Sequence, residues 1–232
     1  MIFGGLMKLT LLDYPEKVAC TLFTLGCNLR CPFCHNATLV TGHDVEHLTE
    51  EEVLAFLDKR KHVLEGMCLT GGEPLINNVE EIAAFLTKVK ALGYLVKLDT
   101  NGFFPEKLQK LVSSGLVDYV AMDVKNSLSR YAETVGCAPD LAAMQRSVAY
   151  LKGGVVPYEF RMTVTGNHHD DKSVEELGQW LRSDSPLYLQ KFVDSGDILD
   201  KTTYGCDEDT MRRYRDILLP YMPNVKLRGM SD

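Results

Sequence analysis

The sequence lacks a long apolar run. No stretch approaches the roughly 18 apolar residues that a membrane-spanning helix needs. Its opening, "MIFGGLMKLTLLDYPEK", has no basic region followed by a long apolar segment, so it is not read as a secretory signal. An excess of positive charge is also missing. The formal net charge is −7, which argues against a protein that grips nucleic acid through bulk electrostatics. The basic run Lys59, Arg60, Lys61 sits among acidic helix residues and reads as a solvated face. No internal repeat, low-complexity tract or Pro/Ser-rich linker interrupts the 232 residues, which suits a single domain over residues 1–232. A chain of this kind is expected in the cytoplasm, without membrane or nucleic-acid partners, where thiols stay reduced.

What is present is an ordinary globular composition, 45% hydrophobic and 25% charged, sufficient to bury a core without disulfide staples. Seven cysteines is an odd number, which argues against a disulfide framework and for a metal or redox site. Three of them, Cys27, Cys31 and Cys34, crowd into "CNLRCPFCHN". The other four, Cys20, Cys68, Cys137 and Cys206, are scattered and read as small buried hydrophobes.

Short apolar runs alternate with helical patterns. Strands are expected at Val18–Phe23, Met67–Leu69, Tyr94–Leu98, Tyr119–Met122, Phe160–Val164 and Leu187–Phe192, with a short last one at Val225–Leu227. Thr49 with Glu52 reads as a capping box, stapled by Leu48 and Val53. The next helix puts Ile82, Phe85, Leu86 and Val89 on one face and stops at Gly93. Pro105 suits a helix N1 position, and Gly115 ends that helix. Ser173 with Glu176 reads as a second capping box, and a last helix is expected over Glu208–Leu219. Six βα-like units predict an α/β fold with a parallel sheet, either an open doubly wound sheet or an incomplete barrel.

In either architecture ligands sit at the C-terminal ends of the strands. The cysteine loop follows the first expected strand, "TGGEP" (Thr70–Pro74) the second, "DTNG" (Asp99–Gly102) the third, and "MDVKN" (Met122–Asn126) ends the fourth. All four would meet on one rim. A structural zinc site wants four ligands, often two CxxC pairs, and here there are three thiols and no second pair. A [4Fe–4S] cluster held by three thiolates leaves one iron open to a ligand. The alternative is a zinc-binding interaction module completed by His43, His47 or a distant cysteine. Gly71 and Gly72 permit close approach to the backbone, and Glu73 offers a carboxylate to an ammonium group. Asp99, Thr100 and Asn101 could take a ribose or form an Asx-turn. Asp123 and Lys125 face one way or pair with each other. Arg161, inside an apolar strand, needs an anionic partner from the protein or from a ligand. His168 and His169 could line a partner channel, although a solvated loop accounts for them better.

Cys27-x3-Cys31-x2-Cys34, with Phe33 before the last cysteine and Gly71-Gly72-Glu73-Pro74 one βα unit later, resembles the radical S-adenosylmethionine superfamily. "CPFCHN", "DTNG" and "MDVKN" resemble the activating enzymes of glycyl-radical proteins. "KLTLLDYPEKVACTLFTLGCN" resembles most closely those of anaerobic ribonucleoside-triphosphate reductase. The resemblance implies a partial (β/α)6 barrel. It implies that Cys27, Cys31 and Cys34 ligate three irons of one [4Fe–4S] cluster, whose fourth iron chelates S-adenosylmethionine. It places Phe33 near the adenine and Gly71, Gly72 and Glu73 at the methionyl ammonium. Asn36, Asp99, Thr100, Asp123, Lys125 and Arg161 would hold the ligand, with a monovalent cation beside Asp99, Thr100 and Asp123. The implied activity is reductive cleavage of S-adenosylmethionine, followed by removal of a hydrogen from a backbone glycine of a partner. The implied electron donor is a flavodoxin or ferredoxin. The activating enzyme of pyruvate formate-lyase, or of another glycyl-radical protein, and a small-molecule radical enzyme are the other enzymatic readings. Two positions depart from the family. Val193 stands where the formate-lyase branch has a histidine, which favours the reductase branch. Glu16 stands where glycine usually follows Tyr-Pro, and reads as a surface change. Between Cys34 and Gly71 lie 36 residues, too poor in cysteine to carry further clusters.

Overall fold

A computed structural model describes residues 1–42, 45 and 47–230. His43, one of the candidate zinc ligands, lies outside the described residues. The chain begins with β1 (Ile2–Phe3), β2 (Gly5–Thr10), β3 (Ala19–Thr24), α1 (Ala37–Thr41), β4 (Leu48–Thr49) and α2 (Glu50–Arg60). It continues through β5 (Gly66–Gly71), α3 (Val79–Ala91), β6 (Leu95–Thr100), α4 (Pro105–Ser113), β7 (Tyr119–Asp123), α5 (Tyr131–Val135) and α6 (Leu141–Lys152). It ends with β8 (Tyr158–Val164), α7 (Asp171–Leu181), β9 (Leu187–Lys191), α8 (Glu208–Leu218) and β10 (Val225–Arg228). No helix among the described residues is long and apolar enough to cross a membrane.

Among the described residues the main sheet has eight strands in the order β10-β9-β8-β7-β6-β5-β3-β2. Every neighbouring pair from β3 to β10 is parallel; β2 joins β3 antiparallel and forms one edge. The two edges do not pair, so the sheet is an α/β partial barrel. The six expected strands are β3, β5, β6, β7, β8 and β9, and β10 extends the row. The edge strand β2, the short pair β1 and β4, and helices α1, α5 and α6 are additions to the expected set.

Period-two alternation divides each strand between two environments. On β8, Phe160, Met162 and Val164 are fully buried toward the helices, while Glu159, Arg161 and Thr163 face the barrel interior. The outward faces of β5, β6 and β7 behave alike, packing Met67, Leu69, Val96, Leu98, Val120 and Met122 against α3 and its neighbours. Fully burying a side chain of this size stabilises by roughly 1.5–3 kcal/mol.

The Thr49/Glu52 capping box forms as expected. The Ser173/Glu176 box does not. Asp170 is the N-cap of α7, its carboxylate accepts from Ser173 N, and Ser173 stands at N3. An aspartate one turn earlier outcompetes the serine for the cap. Of the scattered thiols, Cys20 and Cys68 are buried; Cys137 and Cys206 are only half-buried, so the hydrophobe reading holds for the first two.

Candidate functional site

The cysteine loop leaves the end of β3 and is tied down mainly through its backbone. Arg30 Nη1 donates to the carbonyls of Cys27 and Leu29, each at 2.7 Å. Arg30 N donates to Val135 O, Cys34 N to Cys31 O and Asp200 N to Pro32 O, all at 3.0 Å. Leu29 N lies 3.4 Å from Cys27 Sγ. The three thiols line one cavity of about 420 Å³, a size suited to a small-molecule cofactor. His35 shares this cavity, with its ring 5.2 Å from that of Phe192. Among the described residues no three His, Cys, Asp or Glu side chains converge tightly enough to grip a single metal ion. Three sulfur donors spread around a cavity match a cluster of several irons better than one tetrahedral zinc. Burial raises all three thiol pKa values, Cys31's to about 12, with Lys125 as the cation opposing it. Binding of iron as thiolate therefore expels protons. The residues present fit a [4Fe–4S] cluster.

The second polar cluster is built on close backbone approach. Gly71 adopts φ +121°, and a Cβ there would lie 2.2 Å from Thr24 N. A Cβ on Gly72 would lie 1.8 Å from Gly26 O. Gly72 N donates to Thr24 O and Glu73 N to Gly26 O. What these glycines let near is first the chain's own backbone, the stem of the cysteine loop. Glu73 then turns inward and is 1% exposed. It accepts from Leu75 N at 3.0 Å, Thr100 Oγ1 at 2.9 Å and Asn101 N at 2.6 Å. Those bonds use three of about four acceptor positions on the carboxylate. Desolvation pushes its pKa up to about 7 in spite of them.

The third and fourth strand ends meet in a row of alternating charges. Lys97 Nζ bonds Asp99 Oδ1, and Arg161 Nη1 donates to Asp99 Oδ2 at 3.1 Å. Arg161 Nε donates to Asp123 Oδ1 at 2.9 Å, and Lys125 Nζ to Asp123 Oδ2 at 2.8 Å. Burial would raise the Asp123 pKa, but Arg161 and then Lys125 outweigh it and hold the carboxyl well below the usual range. Asp99 is depressed in the same way by Arg161 and Lys97. Arg161 thus has protein carboxylates as partners. Lys125 stands beyond the end of β7 yet still reaches Asp123, so these two pair with each other.

Phe33 is 3% exposed and lines the cavity. Asn36 holds the N-cap position of α1 without using its side chain as a cap, and faces the same cavity. Cys27, Cys31, Cys34, Phe33, Asn36, Gly71, Gly72, Glu73, Asp99, Thr100, Asp123, Lys125 and Arg161 all lie around it. Asp13, Thr163 and Gln190 do as well, and sequence reasoning missed them. Thr163 and Gln190 were legible as inward strand positions; nothing in the sequence marked Asp13, which accepts from Thr21 Oγ1 at 2.5 Å. The two histidines are not a solvated pair. His169 is 5% exposed, with Nδ1 accepting from Thr165 N and Nε2 donating to Lys125 O at 2.9 Å. His168 is half-buried, its ring 6.1 Å from that of Phe33.

A partial parallel barrel with three thiols after its first parallel strand, and polar clusters from other strand ends on the same cavity, defines a protein class. It is a barrel that holds a thiolate-ligated cofactor beside a small polar ligand. The Radical SAM superfamily pattern matches residues 21–181, more than half of the sequence, and the chain belongs to that superfamily. Membership implies a [4Fe–4S] cluster and S-adenosylmethionine. The chain is 30% identical over 239 residues to a candidate glycyl-radical enzyme activating enzyme of Methanocaldococcus jannaschii, spanning 99% of this chain and 97% of that one. It is 23% identical over 167 residues to pyruvate formate-lyase 1-activating enzyme of Escherichia coli, spanning 69% of this chain and 67% of that one. A radical SAM methyltransferase from Sphaerobacter thermophilus shares the fold at 17% identity, with a TM-score of 0.74 over 95% of this chain and 68% of that one.

Proposed function

We propose that this chain cleaves S-adenosylmethionine reductively and installs a glycyl radical on a partner protein, anaerobic ribonucleoside-triphosphate reductase. The observation that carries the chemistry is the convergence of Cys27, Cys31 and Cys34 with the three other strand-end clusters on one cavity. The near full-length likeness to a candidate glycyl-radical activating enzyme supports the protein substrate. The reductase branch is supported by the N-terminal stretch through Cys27 and by Val193, which is 62% exposed.

Cys27, Cys31 and Cys34 would hold the cluster, which would supply the one-electron reduction that the proposed cleavage requires. The chain's own residues position and neutralise. Lys97, Arg161 and Lys125 carry three positive charges against two on Asp99 and Asp123, so the row has one net positive charge. That excess suits the ligand's carboxylate. Glu73 keeps one acceptor position for the ammonium, and Phe33 offers an apolar face to the adenine. Asn36, with its side chain free of capping, and Thr100 bound the polar part. All four oxygens of Asp99 and Asp123 already meet cations of the chain, so the proposal does not require a monovalent cation there. A flavodoxin or ferredoxin serves as electron donor.

The test is anaerobic reconstitution with iron and sulfide, an assay for 5′-deoxyadenosine under reduction, and electron paramagnetic resonance after mixing with anaerobic ribonucleotide reductase. A glycyl signal is expected. Cleavage without that signal in any glycyl-radical partner overturns the protein substrate; no cleavage by loaded protein overturns the chemistry.

A further inference from the structure

Asn101 is 6% exposed and bonds three segments at once. Its backbone N donates to Glu73 Oε2 at 2.6 Å, which ties it to the loop after β5. Its Oδ1 accepts from Phe103 N at 3.2 Å, closing an Asx-turn after β6. Its Nδ2 donates to Asn28 Oδ1 at 2.8 Å and lies 3.8 Å from Cys27 Sγ, within reach of a large sulfur acceptor. The orientation of this amide is fixed by its surroundings. Phe103 N–H can only face the oxygen, so the NH2 group must face the cysteine loop. One N–H serves Asn28 and the other is left for the sulfur. With Leu29 N at 3.4 Å, Cys27 Sγ has two N–H groups directed at it.

Resting on the cluster reading above, we propose that Asn101 is a positioning residue that sets the redox poise of the cluster through an N–H···S bond to Cys27. The physical reason is charge. Reduction adds a negative charge shared by the cluster and its thiolates, and a donor aimed at a sulfur stabilises that form more than the oxidised one. Because the same side chain bonds Asn28, it also fixes where the Cys27 thiolate sits relative to the loops after β5 and β6. Nothing in this role requires contact with the ligand or with the reacting atoms.

The test uses the full chain reconstituted with iron and sulfide. Asn101→Ser keeps a hydroxyl for the local turn and removes the amide that reaches the sulfur. Iron and sulfide content reports loading, and potentiometry followed by electron paramagnetic resonance reads the reduced fraction. With loading equal to wild type, the variant is expected to show an about tenfold lower reduced-to-oxidised ratio at the same applied potential, equivalent to ~59 mV for a one-electron couple. The iron–sulfur stretching bands in resonance Raman spectra should shift with it. Asn28→Ala leaves the Asn101 backbone bonds intact and frees its amide, so it should move the ratio in the same direction by a smaller factor. It decides the matter if Asn101→Ser does not load. Equal ratios in loaded wild type and in the variant that decides overturn this inference alone. Failure of the wild-type chain to take up iron and sulfide overturns the cluster reading and this inference together.

Discussion

Arg161 on β8 reaches Asp99 on β6, two strands away, by passing its guanidinium across the inner face of β7, where it also meets Asp123. One planar cation thus joins two carboxylates that would otherwise repel. Arg161→Met leaves them facing each other in a partly buried place. Breaking a fully buried pair costs about 3–5 kcal/mol, and this variant should fall at or below the lower end of that range in denaturant unfolding. Arg161→Lys should recover less than half of the loss, because a point charge cannot serve both partners with the fork geometry of arginine. Melting temperatures in sodium, potassium and choline chloride should coincide for wild type and separate for Arg161→Met. A separation already present in wild type would show that an inorganic cation shares the site.

The strand positions and the four rim clusters were legible because parallel strands buried on both sides read as apolar runs, and polar residues at their ends stand out; the strand order was not, because apolar runs suit an open doubly wound sheet as well as an incomplete barrel. The interior of the barrel was less legible. Lys97 hides within Tyr94–Leu98, yet it is 1% exposed and bonds Asp99. The signal that drew attention to Arg161, a cation in a buried strand, applied to it equally. Glu159 stands just before the expected Phe160–Val164, inside the observed strand, and is bridged by Arg228 through two bonds of 2.9 Å. Edge strand β2 was missed because its exposed face carries Met7 and Leu9, which blur the alternation. The Asp13 loop has no periodicity at all, and only the folded chain brings it under Thr21.

Glu16 illustrates a departure that the backbone explains. Lys17 N donates to Tyr14 O, so Tyr14–Lys17 is a turn with proline second and Glu16 third. Glu16 has φ 61°, the conformation this turn type demands of its third residue, where glycine is favoured. It is therefore more than a surface change. A side chain in this region costs roughly 1–2 kcal/mol, and glycine's larger entropy loss on folding offsets about half of that. Glu16→Gly should stabilise by roughly 0.5–1 kcal/mol, raising the melting temperature by about 2 °C, and Glu16→Asn by less. A melting temperature unchanged or lowered in Glu16→Gly would remove this explanation.

Glu73 predicts how cofactor binding depends on pH. Burial holds its carboxyl near pKa 7, with Asp123 across the barrel also raising it and Cys27 beside it. In its proposed role Glu73 receives an ammonium group, which prefers the ionised carboxylate, so below pH 7 binding would release a proton. Affinity for S-adenosylmethionine should weaken by up to about tenfold per pH unit below 7 and level off above it. Calorimetric titration of reconstituted protein between pH 6 and 8 reads this directly. Glu73→Gln should bind more weakly and show a flatter profile. A wild-type profile as flat as the variant's would exclude Glu73 from ammonium binding.

Glu73 and His169 pull stability in opposite directions over the same range. Burial lowers the His169 pKa to about 4, against the bonds to Lys125 and Thr165; neighbouring His168 and Arg130 add to the lowering. A depressed histidine contributes stability that is present above its unfolded value near 6.5 and lost as pH falls toward 4. The shift corresponds to roughly 3 kcal/mol. The raised carboxyl of Glu73 works the other way: its contribution is full below about 4.5 and is lost as pH rises through 7. Between pH 4.5 and 6.5 the two slopes oppose and largely cancel, leaving wild-type stability a shallow fall on acidification set by His35 and His168, whose pKa values burial also lowers. His169→Asn keeps an acceptor for Thr165 N and removes the His169 titration. Its stability, whatever its absolute value, should rise as pH falls from 6.5 to 4.5, and adding Glu73→Gln should flatten the curve again. Urea unfolding at four pH values separates these outcomes. A steep loss on acidification in His169→Asn would mean that other buried groups, and not this histidine, set the acid limit.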